Sequence, residues 1–409
     1  MVQGKQESFF ISRKWFFALL IGLFGMVALF ILFGYEETYR FFGVPVSKHL
    51  FLDMQLITGS AESIENGFDP ILDNRMDPGH RDFNYPKIWF LLLNLGLGRG
   101  VLLYFGIGAI ALFFMALLLF PKTDDRLTLA LIFLVTFSSA GLLAYERANV
   151  DLIFFFTVVL ALLLQDKYRP VSMLVMMASI LFKIFPVFAL GLYWDKRDAK
   201  SMLPVAALSI ASLAYFGFIF SDMRTIFEII QKGSDISYGL QVAAYHLKLN
   251  GQIDEINSFA LYLLIALLSI IPVIAGLLHR ENLDKIDTYH LRSFWAGAGI
   301  YIGTFWLGNN WDYRLIFLIL VIPALVGFSR YSKGLGSYIG WITISAILVS
   351  CWGYGVRLRL NDIIQIQEVL FWIDEISNWM VYLGLVYFFM ASLPDWLNPQ
   401  NFIRRFAHT

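Results

Sequence analysis

Within a chain that is otherwise mostly apolar, Asp53 stands in the polar stretch 47–86, SKHLFLDMQLITGSAESIENGFDPILDNRMDPGHRDFNYP. One carboxylate so placed can take a proton from a hydroxyl. Arg147, Lys183 and Arg314 lie in or beside strongly apolar surroundings, where a cation needs a partner, water or an anionic ligand. Charged groups at membrane depth are costly, so a converging set of them reads first as a functional site. Whether these groups converge depends on the elements between them.

Of the 409 residues, 58% are hydrophobic and 17% aromatic, and mean hydropathy is +0.66, more apolar surface than a soluble domain carries. The composition predicts an all-α polytopic membrane protein. Formal net charge is zero, which leaves no nucleic-acid footprint, and a single cysteine, Cys351, excludes an intramolecular disulfide framework. Runs long enough to cross about 30 Å of hydrocarbon cover 15–34, 101–120, 127–144, 201–220, 258–278, 292–308, 315–329, 336–354 and 376–393. The first follows Arg13 and Lys14 without a small-residue cleavage site and reads as a retained anchor. Runs at 87–98, 151–165 and 171–194 are shorter or broken by Gly96, Gly98 and the Lys183/Pro186 pair. Broken helices at membrane depth are expected to line a cavity. The sum is about 11 to 13 transmembrane segments in one domain over 1–409.

Arg13/Lys14, Lys122/Arg126, Lys167/Arg169, Lys196/Arg197/Lys200, Arg280/Lys285/Arg292, Arg330/Lys333 and Arg404/Arg405 fall in short connections or termini. The positive-inside rule puts them together in the cytoplasm, with both termini. The outer face then holds a first loop at 35–100, residues 145–150, the Lys183 break, a second large loop at 221–257, 309–314 and 355–375. Asp53, His80, Arg81, Glu146, Arg147, Asp151, Lys183, His246, Asn309, Asn310, Asp312, Arg314, Arg357 and Arg359 all fall there or at the outer membrane edge. In the second loop, short helices are predicted near 223–231 and 240–249.

Each residue also has a plainer reading. Phe51, Leu52, Leu56, Ile57 and Ala61 recur at helical spacing, predicting a surface-lying amphipathic helix on which Asp53 is a helix-start acid favoured by the dipole. Arg147 and Asp151 at i and i+4 fit an ion pair, as do Asp312 and Arg314. Asp73 and Asp77 in LDNRMDPG could mimic a cation loop, and their plainer reading is solvated turn acids. His246 is a lone loop histidine, and Arg357 and Arg359 alternate as on an extended piece near lipid headgroups.

The order of segments carries a resemblance. An acid in the first outer loop, then NGFDP at 66–70 and NYP at 84–86, is followed by ERANVDLIFF at 146–155, LFKIFPVFAL at 181–190 and NNWDYRLIFLILVIPAL at 309–325. This order resembles the polyprenyl-phosphate-sugar-dependent glycosyltransferases of the GT-C superfamily, in particular glycosyltransferase family 87 (DUF2029). The resemblance implies a GT-C-type fold with broken helices and amphipathic helices in the first outer loop. It implies Asp53 as catalytic base, and Arg147, Lys183, Arg314, Asn310, Tyr85, Glu146, Asn149, His246 and Arg357 as the set from which substrate and phosphate contacts come. The implied reaction moves a sugar, mannose being commonest in the family, from a polyprenyl-phosphate donor to an acceptor hydroxyl of a lipid-linked or envelope glycan, with inversion. Some GT-C families place two acids together and bind a cation. Here Met54 and Gln55 follow Asp53, so no metal and no cofactor beyond the lipid co-substrate is expected. The implied location is a bacterial inner membrane, with the site on the periplasmic face. A flippase of lipid-linked sugars and a glycan polymerase or ligase are the rival readings. Against the first stands the lack of internal symmetry, and against the second the early position of the largest polar loop.

Overall fold

The computed structural model describes residues 12–196, 198–279 and 285–397. Arg197, Arg280, Arg404, Arg405 and both chain termini lie outside those residues. Helices dominate, because a backbone in hydrocarbon must satisfy its own hydrogen bonds. In order they are α1 (Arg13–Phe33), α2 (Tyr35–Phe41), α3 (Leu52–Glu65), α4 (Phe90–Leu93), α5 (Leu102–Leu119), α6 (Arg126–Thr136), α7 (Ser139–Arg147), α8 (Asp151–Leu164) and α9 (Arg169–Phe182). Then follow α10 (Met202–Phe218), α11 (Phe220–Ile229), α12 (Val242–Leu249), α13 (Ser258–Leu278), α14 (Thr288–Trp306), α15 (Ile322–Tyr331), α16 (Leu335–Arg359) and α17 (Ile364–Ala391). Two-residue strands, β1 (Ser237–Tyr238) and β2 (Asn310–Trp311), pair antiparallel with Ser237 opposite Trp311.

Among the described residues, six helices are long and apolar enough to cross a membrane: α1, α5 with its preceding 3-10 turn, α10 likewise, α13, α16 and α17. Two bent pairs, α6 with α7 at 48° and the 3-10 stretch Asp312–Leu320 with α15 at 56°, raise the number to eight if each is one span. This is an all-helical polytopic membrane protein. The spans are fewer than the sequence reading of about 11 to 13. The run expected at 292–308 forms α14, which is buried on nearly every side and carries Arg292. The apolar helices α8 and α9, at 14 residues each, are short.

The breaks have local causes. Between α6 and α7 the Ser138 hydroxyl turns to cap the second helix, accepting from Gly141 N at 3.2 Å. At the end of α9, Lys183 is extended and a 3-10 stretch, Phe185–Tyr193, begins with Pro186 near its start. The break expected at the Lys183/Pro186 pair is present. Short helices are also expected in 221–257, and α11 and α12 occupy those positions. Arg357 and Arg359, expected on an extended piece, are in the last turn of helix α16. The connection from there to α17 is residues 360–363.

Candidate functional site

α3 is not a surface-lying helix. Met54 through Ala61 are all buried, because its small residues let a neighbouring loop approach closely. A Cβ on Gly59 would lie 2.9 Å from Met76 O. Across that contact Asn74 is bound by Ser63 (2.8 Å) and donates to Ser60 (3.0 Å) and Arg81 O (2.9 Å). Asp73 is an exposed turn acid paired with Arg75, as expected, but Asp77 is fully buried rather than solvated. Its carboxylate accepts from Gly79 N, Arg81 N and Arg81 Nε, each at 3.0 Å, and from Arg81 Nη2 at 2.8 Å. This two-pronged grip fixes the guanidinium.

Arg81 is thereby aimed at Asp53. Its Nη1 donates to Asp53 Oδ1 at 3.1 Å, while Asn149 Nδ2 donates to Asp53 Oδ2 at 2.7 Å. Asn149 is oriented in turn, because its Oδ1 accepts from Asp151 N at 2.8 Å. The carboxylate in the first turn of α3 is therefore held from two sides, by groups 28 and 96 residues away in sequence.

The expected ion pair between Arg147 and Asp151 does not form. Ala148 closes α7 in the left-handed region, at φ 45°, and separates the two residues. Arg147 Nε instead lies 3.0 Å from Glu146 Oε2, without hydrogen-bond alignment, and Glu146 Oε1 accepts from Ser47 N at 2.7 Å. Asp151, fully buried, pairs with Lys183 and, at 3.0 Å, with Arg314 Nε. Arg314 also donates to Asn310, so its partner is Asp151 rather than Asp312. Lys183 sits 5.1 Å from the centre of the Tyr85 ring, and Arg314 4.6 Å from that of Phe185. Two cations on one carboxylate leave a net positive charge.

Asp53 faces a polar cavity of about 290 Å3, lined also by Arg81, Asp82, Arg147, Asn149 and Gln231. Lys183, Arg314, Lys232, Asn309 and Asn310 face a second of about 190 Å3. Asn84, Tyr85, Trp311 and Tyr313 line both, so the two adjoin. Burial and the nearby Asp53 hold the Tyr85 phenol well above its ordinary pKa, so it is a neutral donor at neutral pH. A third space, an apolar groove of about 610 Å3, runs between α3, α5, α8 and α9. It reaches the Lys183 break at Phe154 and Phe182, and Trp89 on its wall lies 5.4 Å from the Tyr85 ring.

Of the residues singled out from sequence, Asp53, Tyr85, Arg147, Asn149, Lys183, Asn310 and Arg314 line these adjoining cavities, and Glu146 supports Arg147 from behind. His246 and Arg357 do not join them. His246 stacks on Phe371 at 3.6 Å with Glu368 3.0 Å from its Nε2, and Arg357 pairs with Asp235 at 2.7 Å above the same ring. Asp77 and Arg81, named in the sequence as a turn acid and an outer-face cation, were not assigned to the site. The Asp77-Pro78-Gly79 turn with an arginine four residues after its aspartate was the available signal. Among the described residues no group of three or more His, Cys, Asp or Glu is placed to hold a metal ion.

Fold and site together define an all-helical membrane protein with a held carboxylate beside a cationic cavity and an apolar groove. Compared with known proteins, the chain matches no family model, no curated protein and no solved structure.

Proposed function

We propose that this protein is a GT-C-type glycosyltransferase, resembling family 87, that moves a sugar from a polyprenyl-phosphate donor to an acceptor hydroxyl. The observation that carries this reading is the shared wall: Asp53 and the Lys183/Arg314 pair face adjoining cavities separated only by residues that line both. A base and a phosphate-holding site on adjoining cavities suit an in-line displacement.

The acceptor lies in the larger cavity, where Asp53 removes its hydroxyl proton as the oxygen attacks the anomeric carbon. The bond from that carbon to the phosphate oxygen breaks from the opposite side, and its electron pair leaves with the phosphate. Configuration inverts. A phosphate is a stable leaving group, so the need is for positive charge rather than a general acid, and Lys183 and Arg314 supply it. Tyr85, as a neutral donor, offers a hydrogen bond between the two. Arg81 and Asn149 hold the carboxylate in place before substrate arrives. The apolar groove suits the isoprenoid tail, which would enter sideways from the bilayer with its phosphate at the Lys183 break. The proposed setting is a bacterial inner membrane with the site on the outer face, where lipid carriers replace nucleotide sugars.

Purified protein incubated with a radiolabelled polyprenyl-phosphate sugar and an envelope lipid extract should yield labelled product. Asp53→Asn should lower transfer by roughly 100- to 10,000-fold, the range of general-base contributions, with donor binding retained. Full turnover by that variant would sink the assignment.

A further inference from the structure

The two polar cavities differ in charge, and the difference bears on the acceptor. The smaller one is faced by Lys183, Lys232 and Arg314 and by no acid. In the larger one both arginines are already engaged, Arg81 by Asp77 and Asp53 and Arg147 by Glu146. Asp53 and Asp82 face the same space, with His80 beside them, so four acids stand against two arginines and one histidine once Asp77 and Glu146 behind the wall are included. An anion entering there would lose its water to meet carboxylates, against arginines that already face acids. What remains suits an uncharged polyol. Asn84, Asn149 and Gln231 carry amides, the carboxylates accept from hydroxyls, and Trp311 and Tyr313 bring aromatic rings to the wall, against which the C–H side of a sugar can pack.

We infer that the larger cavity takes an uncharged sugar, and that Asp82 is a specificity-determining residue that turns phosphorylated or carboxylated acceptors away. The inference rests on Asp53 being the base, since that makes this cavity the acceptor's. It divides the site by charge, the anionic donor on one side of Tyr85 and the neutral acceptor on the other. Exclusion by like charge is specificity through repulsion rather than through better contacts.

Binding without donor tests it. The protein is placed in nanodiscs of zwitterionic lipid, which avoids glycoside detergents, with inorganic phosphate added to occupy the cationic cavity. Methyl hexosides and the matching 6-phosphates are then titrated and followed by saturation-transfer NMR. The neutral hexosides should bind at least about tenfold more tightly than their phosphates. Asp82→Lys should raise 6-phosphate binding by a similar factor, with Asp82→Asn intermediate and melting temperatures reporting that each variant folds. Equal or tighter binding of the 6-phosphate by the wild-type protein, or no binding of any neutral hexoside, would overturn the cavity assignment. No gain in Asp82→Lys, in a folded protein, would overturn the role of Asp82. A protein that binds neutral hexosides yet transfers no sugar would count against the transferase reading alone.

Discussion

Asp151→Asn removes the carboxylate that Lys183 and Arg314 share, and the consequence can be sized from their surroundings. Asp151 is fully buried, and the two cations keep about an eighth of their side-chain surface exposed, at 12% and 13%. Removing one partner of a buried pair costs about 3 to 5 kcal/mol, because a charge is left unanswered. Here Arg314 keeps Asn310, Lys183 keeps the Tyr85 face, and both border a cavity that admits water. The lower end applies, about 3 kcal/mol. Lys183→Met alone leaves the Asp151–Arg314 pair intact and should cost less. Adding Lys183→Met to Asp151→Asn should then recover part of the loss, since one of the two stranded charges is gone. Melting in detergent followed by size-exclusion chromatography reads this, at one heating rate throughout because unfolding of such proteins is seldom reversible. At roughly 2 °C per kcal/mol for a large chain, Asp151→Asn should melt about 6 °C lower. Inorganic phosphate should raise the midpoint of Asp151→Asn more than that of the wild type, an anion replacing the lost one. If Asp151→Asn melts within about 1 °C of the wild type, or if the double variant is no better than Asp151→Asn, the shared-carboxylate reasoning is wrong.

Asn149→Ala removes one of the two donors to Asp53 without touching Arg81, and under the proposed mechanism should lower turnover about tenfold, the effect of a loosened carboxylate, while the protein elutes as a monodisperse peak. Gly108 lines the apolar groove, and a Cβ added to it would meet nothing within 4 Å. Gly108→Trp should therefore fold normally yet exclude a long isoprenoid donor while sparing a short-chain analogue; equal use of both would argue against the groove as the tail site. A cysteine at exposed Asp73 should react with an impermeant maleimide from the outer side of intact cells, and labelling from the cytoplasmic side alone would reverse the proposed orientation.

The apolar runs and their breaks were legible because a helix in hydrocarbon needs length, apolarity and an intact ladder, all written locally in α1, α13 and the Lys183/Pro186 break. The site's membership was legible in part, since burying Lys183 or Arg314 in apolar surroundings requires a reason. Its pairings were not. Whether Arg147 meets Asp151 depends on the backbone at Ala148, and its left-handed turn has no sequence mark, for alanine rarely adopts it. Asp77 looked solvated because its segment is polar, and only the close approach permitted by Gly59 buries it. Arg357 and His246 share a ring with each other rather than with the cavities, a result of where α12 docks on α17, which spacing along the chain does not encode.

The shared carboxylate also sets an order of events during synthesis. Lys183 follows Asp151 by 32 residues, whereas Arg314 follows it by 163. A nascent chain can insert the acid together with its first cation as a neutral couple, which is the cheaper way to bring either into lipid. The second cation on that carboxylate arrives only with the ribosome's later output, so a chain halted before β2 would hold Asp151, Lys183 and Lys232 yet lack Arg314.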